Sequence, residues 1–420
     1  MRSRAMALMA LLGWAAPAGA EDAALRRARA VLERVPLIDG HNDLAWAIRE
    51  YEKAPRDVVA YDLRTRTPGH TDLARLRQGH VGGQFWSVYV PGEARAQGFA
   101  KMQLEQIDIA RQFIARYPDQ LELALTADQV ERAFHHKRVA SLLGMEGGHV
   151  LENSLGALRA YYDLGVRYLT LTHNINLDWA DCAAEPARHG GLTRFGEEVV
   201  REMNRLGMLV DLSHTSAETM EDALRVAAAP VIFSHSSARG LTDVPRNVPD
   251  SILKALPANG GLVMVTFVPS FCSIEVHQAS QAREAVVREK TKDITDPVQK
   301  KRISDEIRRA NPVPKATLAQ VADHIEYVRK VAGADHVGLG GDFDGVGETP
   351  VGLDDVSSYP ALFAELVRRG WSDADLEKLA GRNLLRVLRA AEATAARLQR
   401  ERPPSLATIE ELDAPARSTN

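Results

Sequence analysis

The sequence predicts an α/β protein, a closed (β/α)₈ TIM barrel, on three observations: eight short apolar runs of strand length, amphipathic helical stretches between most of them, and histidines or carboxylates directly after six of the runs. An open doubly wound sheet also alternates, but it usually has fewer strands and a glycine-rich phosphate loop. No G-x-G-x-x-G opens a helix here, and no G-x-x-x-x-G-K-[ST] occurs.

In chain order, Pro36 to Asp39 is the first run and leads into Asp39-Gly40-His41-Asn42-Asp43. Gln84 to Val90 is the second. Val139 to Met145, the third, is followed by Glu146-Gly147-Gly148-His149, and Tyr168 to Thr172, the fourth, by His173-Asn174. A helical pattern over Glu198 to Leu206 precedes the fifth run, Met208 to Leu212, which ends in Ser213-His214. A second helix, Ala217 to Ala228, leads to Val231 to Phe233 and then Ser234-His235-Ser236. The seventh run is Leu262 to Val268. After it, Phe271 to Ala316 departs from the alternation: it is highly charged and mostly helix-forming, and is expected as a charged helical excursion from a βα loop over the active face. His336 to Gly340 is the eighth run and leads to Asp342-Phe343-Asp344-Gly345.

Composition bounds the rest. The 420 residues are 45% hydrophobic and 26% charged, enough to bury a sizeable core. A net charge of −4 with no basic block argues against nucleic acid as a partner. Cys182 and Cys272 allow at most one intrachain bridge, so any metal must be held by His and carboxylates. Arg2 and Arg4, the apolar run Ala5 to Ala16 and then Ala18-Gly19-Ala20 read as a cleaved secretory signal over residues 1–20, too short to span a bilayer. The expected organisation is this signal, a barrel domain over 21–395 and a polar C-terminal tail over 396–420, giving an exported protein, periplasmic or secreted, with no membrane anchor after cleavage.

Barrel active sites form at the C-terminal ends of the strands, so five of the 13 histidines should converge on one mouth. His41 and Asp43 stand at i and i+2, on one side of an extended backbone, and could share a metal. Taken singly, Glu146 could cap a helix, His214 or His235 could be a satisfied core histidine, and Asp342 with Asp344 hints at a calcium loop whose later positions fail to match. Their joint placement instead points to a binuclear hydrolase centre.

The strings Asp39-Gly-His-Asn-Asp43, Gly144-Met-Glu-Gly-Gly148, Leu171-Thr-His173, Asp211-Leu-Ser-His214, Arg246-Asn-Val-Pro-Asp250 and Gly340-Gly-Asp-Phe-Asp-Gly345 resemble the membrane (renal) dipeptidase family of zinc peptidases, within the amidohydrolase superfamily. The resemblance runs from about Val35 to Ala390. It implies two Zn²⁺ per chain, one held by His41, Asp43 and Glu146 and the other by Glu146, His214 and His235, with a hydroxide bridging the pair as nucleophile. It further implies Asp342 as the catalytic acid/base, His173 as a contact to the scissile carbonyl, Arg246 as a clamp on the substrate carboxylate, small dipeptides as substrates and a homodimer. His149 and Asp344 are left as supporting residues behind the ligands. Two rivals remain: another metallohydrolase of the superfamily (lactamase, deaminase or esterase), for which Arg246 would have no carboxylate to hold, and a non-catalytic binding barrel, against which every proposed ligand is present.

Overall fold

A computed structural model describes residues 22–414. Nine parallel strands lie in the order β2-β1-β9-β8-β7-β6-β5-β4-β3, with β2 also paired to β4: β1 Leu37–Asn42, β2 Val81–Ser87, β3 Leu121–Leu123, β4 Val139–Glu146, β5 Val166–Thr170, β6 Leu209–Asp211, β7 Ile232–Ser236, β8 Leu262–Val265 and β9 Val337–Leu339. The ring closes through Asp39↔Leu339 between β1 and β9 and through five pairs, Gly83↔Ala140 to Ser87↔Gly144, between β2 and β4. Eight strands therefore make the barrel. β3 pairs only with the first residues of β4, Val139 to Ser141, while β5 takes the later ones, Leu143 to Glu146. At three residues β3 is too short to show a period, which is why the sequence pattern passes over it.

Every residue of β1, β2 and β4 is buried, as expected of strands covered by helices on one side and by barrel interior on the other. The second strand begins three residues before the expected Gln84 because Gly82 and Gly83 disguise it. A Cβ on Gly82 would sit 2.7 Å from Pro36 Cα, so the glycine marks a close approach of two chains rather than a break. β7 runs on through Ser234, His235 and Ser236, past the expected end at Phe233, because these polar side chains find partners inside the barrel mouth.

Local signals set the helix ends. Thr193 accepts from the Gly196 N–H to start Arg194–Leu206, and Gly207 at φ 83° stops it; Ser216 caps Ala217–Val226 in the same way. After β8 come the helices Pro269–Cys272, Ile274–Thr291 and Pro297–Ala310. The last two form a hairpin joined by Arg308 to both carboxylate oxygens of Glu284, at 2.9 and 2.8 Å. The polar tail expected from 396 is not a separate segment: helix Asn383–Glu401 passes through that boundary, and helix Ile409–Asp413 docks through Asp413, which accepts from the Thr193 hydroxyl and the Phe195 N–H. The expected signal segment, 1–20, lies outside the described residues. Among those described, no helix is long and apolar enough to cross a membrane. Cys182 and Cys272 are both buried and unpaired.

Candidate metal centre

The strand ends meet at one cavity of about 480 Å³, lined by Asp43, Glu146, His173, His214, His235, Arg246 and Asp342 among others. His41 lies just beneath it, fully buried, with Nε2 3.2 Å from Asp43 Oδ2. Glu146 stands at the middle and divides its oxygens. Its Oε2 lies 3.5 Å from His41 Nε2, and its Oε1 lies 3.0 Å from His214 Nε2 and 3.4 Å from His235 Nε2. Zinc bonds to nitrogen and oxygen of about 2.0–2.1 Å set tetrahedral ligand atoms about 3.3 Å apart, so this spacing suits a metal between them. Two further observations agree: His41 Nε2 and Asp43 Oδ1 are buried without a hydrogen-bond partner, and clusters of candidate ligand atoms centre on His41, Glu146 and His235, on Glu146, His173 and His214, and on His41, Asp43 and Asp342.

The outer ring nitrogens are held from behind. His41 Nδ1 lies 2.8 Å from the Tyr168 hydroxyl, His214 Nδ1 3.1 Å from Asn174 Oδ1 and His235 Nδ1 2.8 Å from Ser234 Oγ. All three imidazoles thus turn Nε2 toward the centre. Asp39, fully buried, ties the first ligand strand to the last: it accepts from the His41 N–H and Gln84 on β1 and β2, and from the Gly341 N–H and the Tyr359 hydroxyl beyond β9.

Burial with Arg246 and neighbouring imidazoles holds His214 and His235 well below the ordinary histidine value, which keeps them neutral as metal ligands must be. At His41 burial acts the same way but is outweighed by Tyr168, Glu146 and Asp43, which favour a positive charge there. Glu146, despite burial, is kept ionised by His41, His173 and its bonds to His214 and His235. Asp342 is pushed well above the usual carboxylate range by burial, with Asp43 and Glu146 adding to it. The site is therefore a pocket of carboxylates in which the imidazoles of His214 and His235 are held neutral while the acidic groups around His41 call for cationic charge.

Asp342 Oδ1 lies 4.0 Å from His41 Nε2, and its backbone takes the left-handed φ of 60°. His214 does the same at 66°, an unusual conformation for a residue with a Cβ, and both fall at the site. A Cβ on Gly345 would lie 2.3 Å from both Asp342 Oδ1 and Asp43 Oδ2, so only glycine lets these two carboxylates stand where they do. His173 places Nε2 3.8 Å from Glu146 Oε1 and stacks its ring near those of His214 and Tyr89. Arg246 enters from the far wall, donating to Ser236 Oγ at 2.6 Å and to the His235 carbonyl at 2.9 Å, over the Phe271 ring. Its Nε is buried and has no partner.

Every expected site residue is thus in the cluster, but the two expected supporting residues are not. His149 turns its Nε2 to the Val90 carbonyl and lines a different cavity with Phe99 and Trp179. Asp344 accepts from the His70 N–H, donates its own N–H to His70 Nδ1 and accepts nothing from the ligands; it pins the loop around Gly69 instead. The sequence reading missed Tyr168, Tyr89, Trp46 and His277. Tyr89 lies inside the expected second run, Gln84 to Val90; the strand ends earlier, at Ser87, and only with that end known does the strand-end rule reach Tyr89. Its hydroxyl is raised above the ordinary tyrosine value by burial and by Glu146, Glu93 and Asp43. His277 reaches the cavity from helix Ile274–Thr291, whose contact with the barrel no local pattern encodes.

A barrel with carboxylates and imidazoles converging at its C-terminal mouth defines a metallohydrolase. The profile of the membrane dipeptidase family, peptidase family M19, matches residues 25–402, and the chain belongs to that family. It is 42% identical over 389 residues to Dipeptidase verJ of Clonostachys rogersoniana, covering 90% of both chains. It is also 42% identical to Dipeptidase 3 of Mus musculus over 87% of this chain and 66% of that one. In fold it matches the probable dipeptidase PvdM from Pseudomonas aeruginosa with a TM-score of 0.77 at 24% identity, over 89% of this chain and 99% of that chain. A metallo peptidase from Rhodobacter sphaeroides, liganded with a phosphinate mimic of the dipeptide L-Ala-D-Ala, matches with a TM-score of 0.70 at 24% identity, over 85% and 99%. The chain is a metallodipeptidase.

Proposed function

We propose that this chain hydrolyses dipeptides with two zinc ions, one held by His41, Asp43 and Glu146 and the other by Glu146, His214 and His235. The observation that carries the reading is the division of Glu146, one oxygen facing His41 and the other facing His214 and His235. Bound there, the metals would supply Lewis acidity at the scissile carbonyl and the acidity that makes water a nucleophile near neutral pH. The chain's own groups do the rest. Arg246, a buried guanidinium with an unpaired Nε, offers charge to the substrate's C-terminal carboxylate, and its place in the cavity favours a peptide over a lactam, base or ester lacking that group. His173, held neutral by burial, can donate to the carbonyl oxygen as charge develops on it. Asp342, with its raised affinity for protons, can take one from the attacking water and deliver it to the departing amine.

Export rests on the pattern of Arg2 to Ala20, and a homodimer on the family likeness; cell fractionation and light scattering test these two parts. The central reading is tested by zinc analysis together with a substrate panel. Two zincs per chain with cleavage of dipeptides, but little of tripeptides or dipeptide amides, supports it; a chain that hydrolyses dipeptides with one metal bound refutes the binuclear form.

A further inference from the structure

Two acidic residues of the motif strings, Asp39 and Asp211, touch neither the cavity nor a candidate ligand atom, yet both are fully buried. Asp39 spends its oxygens on joining β1 to β9. Asp211 does something more directed. Its Oδ1 accepts from the backbone N–H of Ser213 at 3.1 Å and of Ser234 at 2.7 Å. Its Oδ2 accepts from the Thr170 hydroxyl at 2.5 Å and the Ser234 hydroxyl at 2.6 Å. Four donors converge on one carboxylate, and two of them, being backbone N–H groups, can only donate.

This fixes a proton two residues away. Ser234 has one hydroxyl hydrogen and three acceptors in reach, the Asp211 carboxylate at 2.6 Å, His235 Nδ1 at 2.8 Å on the other side and, farthest, the Ser213 hydroxyl oxygen at 3.5 Å. A charged acceptor at the shortest distance takes the hydrogen. The Ser234 lone pair then faces His235 Nδ1, which must carry its own hydrogen to make the bond. With Nδ1 protonated, Nε2 presents a lone pair to the centre, toward Glu146 Oε1 and His214 Nε2.

We propose that Asp211 and Ser234 are positioning residues that set the tautomer of His235, a buried carboxylate–serine–histidine relay that keeps Nε2 open for the metal. The relay is directional, and the direction comes from the charge on Asp211. In Asp211→Asn the new amide nitrogen can donate to Ser234 Oγ, which then turns its hydrogen to His235 Nδ1 and forces the ring proton onto Nε2. In Ser234→Ala the Nδ1–H merely loses its acceptor, and both tautomers become open to the ring. In Ser234→Thr the hydroxyl is kept. Reversing the relay should therefore harm metal binding more than deleting it, an order that loss of packing alone would not produce.

The inference rests on His235 being a metal ligand, as proposed above, and the experiment separates the two. Zinc affinity is measured by competition with a chromogenic chelator on the full chain, together with long-range ¹H–¹⁵N spectra of histidine rings in the metal-free protein. Wild type and Ser234→Thr should bind alike, Ser234→Ala about tenfold and Asp211→Asn about 100-fold more weakly at the weaker site, the range usual for groups behind a ligand. The His235 ring should read as the Nδ1–H tautomer in wild type and the Nε2–H tautomer in Asp211→Asn. Equal affinities for wild type and Ser234→Ala, or an Nε2–H tautomer in wild type, overturn the relay. If Asp211→Asn does not fold, the Ser234 pair and the wild-type tautomer still decide it. A wild-type protein that binds metal without any shift of the His235 resonances instead removes His235 from the ligand set, which overturns the functional reading at that residue.

Discussion

His214 and His235 point their Nε2 atoms at one another across 3.0 Å, with Glu146 Oε1 beside both. Asn174 Oδ1 can only accept from His214 Nδ1, so where His235 Nδ1 also carries its hydrogen both Nε2 atoms present lone pairs, which a cation can join and a hydrogen bond between them cannot. Glu146 is the group that joins this pair to His41. Glu146→Gln should therefore lower zinc at both sites and abolish hydrolysis, because a neutral amide offsets none of the charge of two adjacent cations. Elemental analysis of the purified variant checks this, and two retained zincs would rule out the shared role.

Arg246 gives a selectivity test. Charge-assisted hydrogen bonds contribute about 1.5–3 kcal/mol, so Arg246→Ala should lower kcat/KM on dipeptides roughly 10- to 100-fold while zinc content stays the same. Dipeptide amides, which carry no carboxylate, should lose little. An equal loss on acids and amides would show that Arg246 acts through Ser236 and the His235 carbonyl rather than on the substrate.

Asp342 separates proton transfer from metal binding. Asp342→Asn keeps size and shape but cannot shuttle a proton, and turnover should fall roughly 10²- to 10⁴-fold. Zinc content and dipeptide affinity should remain. Because Asp342 Oδ1 stands 4.0 Å from His41 Nε2, loss of one zinc in this variant would make it a ligand instead.

Gly345 makes a steric prediction. Its φ lies outside the left-handed region, so alanine suits the backbone and only the Cβ is in question. At 2.3 Å from Asp342 Oδ1 and Asp43 Oδ2 it must displace both carboxylates. Gly345→Ala should cost about 10²-fold in kcat, as a misplacement near 1 Å does, with a nearly unchanged melting temperature of the metal-free protein. Wild-type turnover would mean that the loop relaxes without disturbing the site.

His324 predicts a pH dependence of stability. It is 1% exposed, accepts from the Ala238 N–H at Nδ1, and is pushed by burial down to about 4. Between its ordinary value of about 6.5 and that folded value the unfolded chain binds the proton more readily, so stability is complete above that window and falls as pH drops through it. The loss is at most about 3 kcal/mol. His149, also held near 4 by burial, adds a second contribution. Urea unfolding of the metal-free protein at pH 7 and 4.5 should show a smaller drop for His324→Gln than for wild type; identical drops would remove His324 from the account.

The barrel and the strand-end residues of its mouth were legible in the sequence, whereas Trp46, Tyr89 and His277, which also line the cavity, were not. Barrel and strand ends derive from one-dimensional facts: parallel barrel strands are buried on both faces and so appear as apolar runs, and the fold brings the residues just after each run, from His41 to Asp342, to one end. Tertiary structure alone decided which groups stand behind those residues. His149 and Asp344 sit in the same strings as the ligands yet face away, while Asp211, Ser234 and Tyr168 support imidazoles that lie 24, 1 and 127 positions from them along the chain. Strand period says which way a side chain leaves the backbone, but the partner across the barrel depends on ring closure and on the stagger between strands, such as the register shifts between Asp39 and Asn42 and between Phe233 and Ser236. That stagger arises only when all eight strands close together, and no single stretch of chain encodes it.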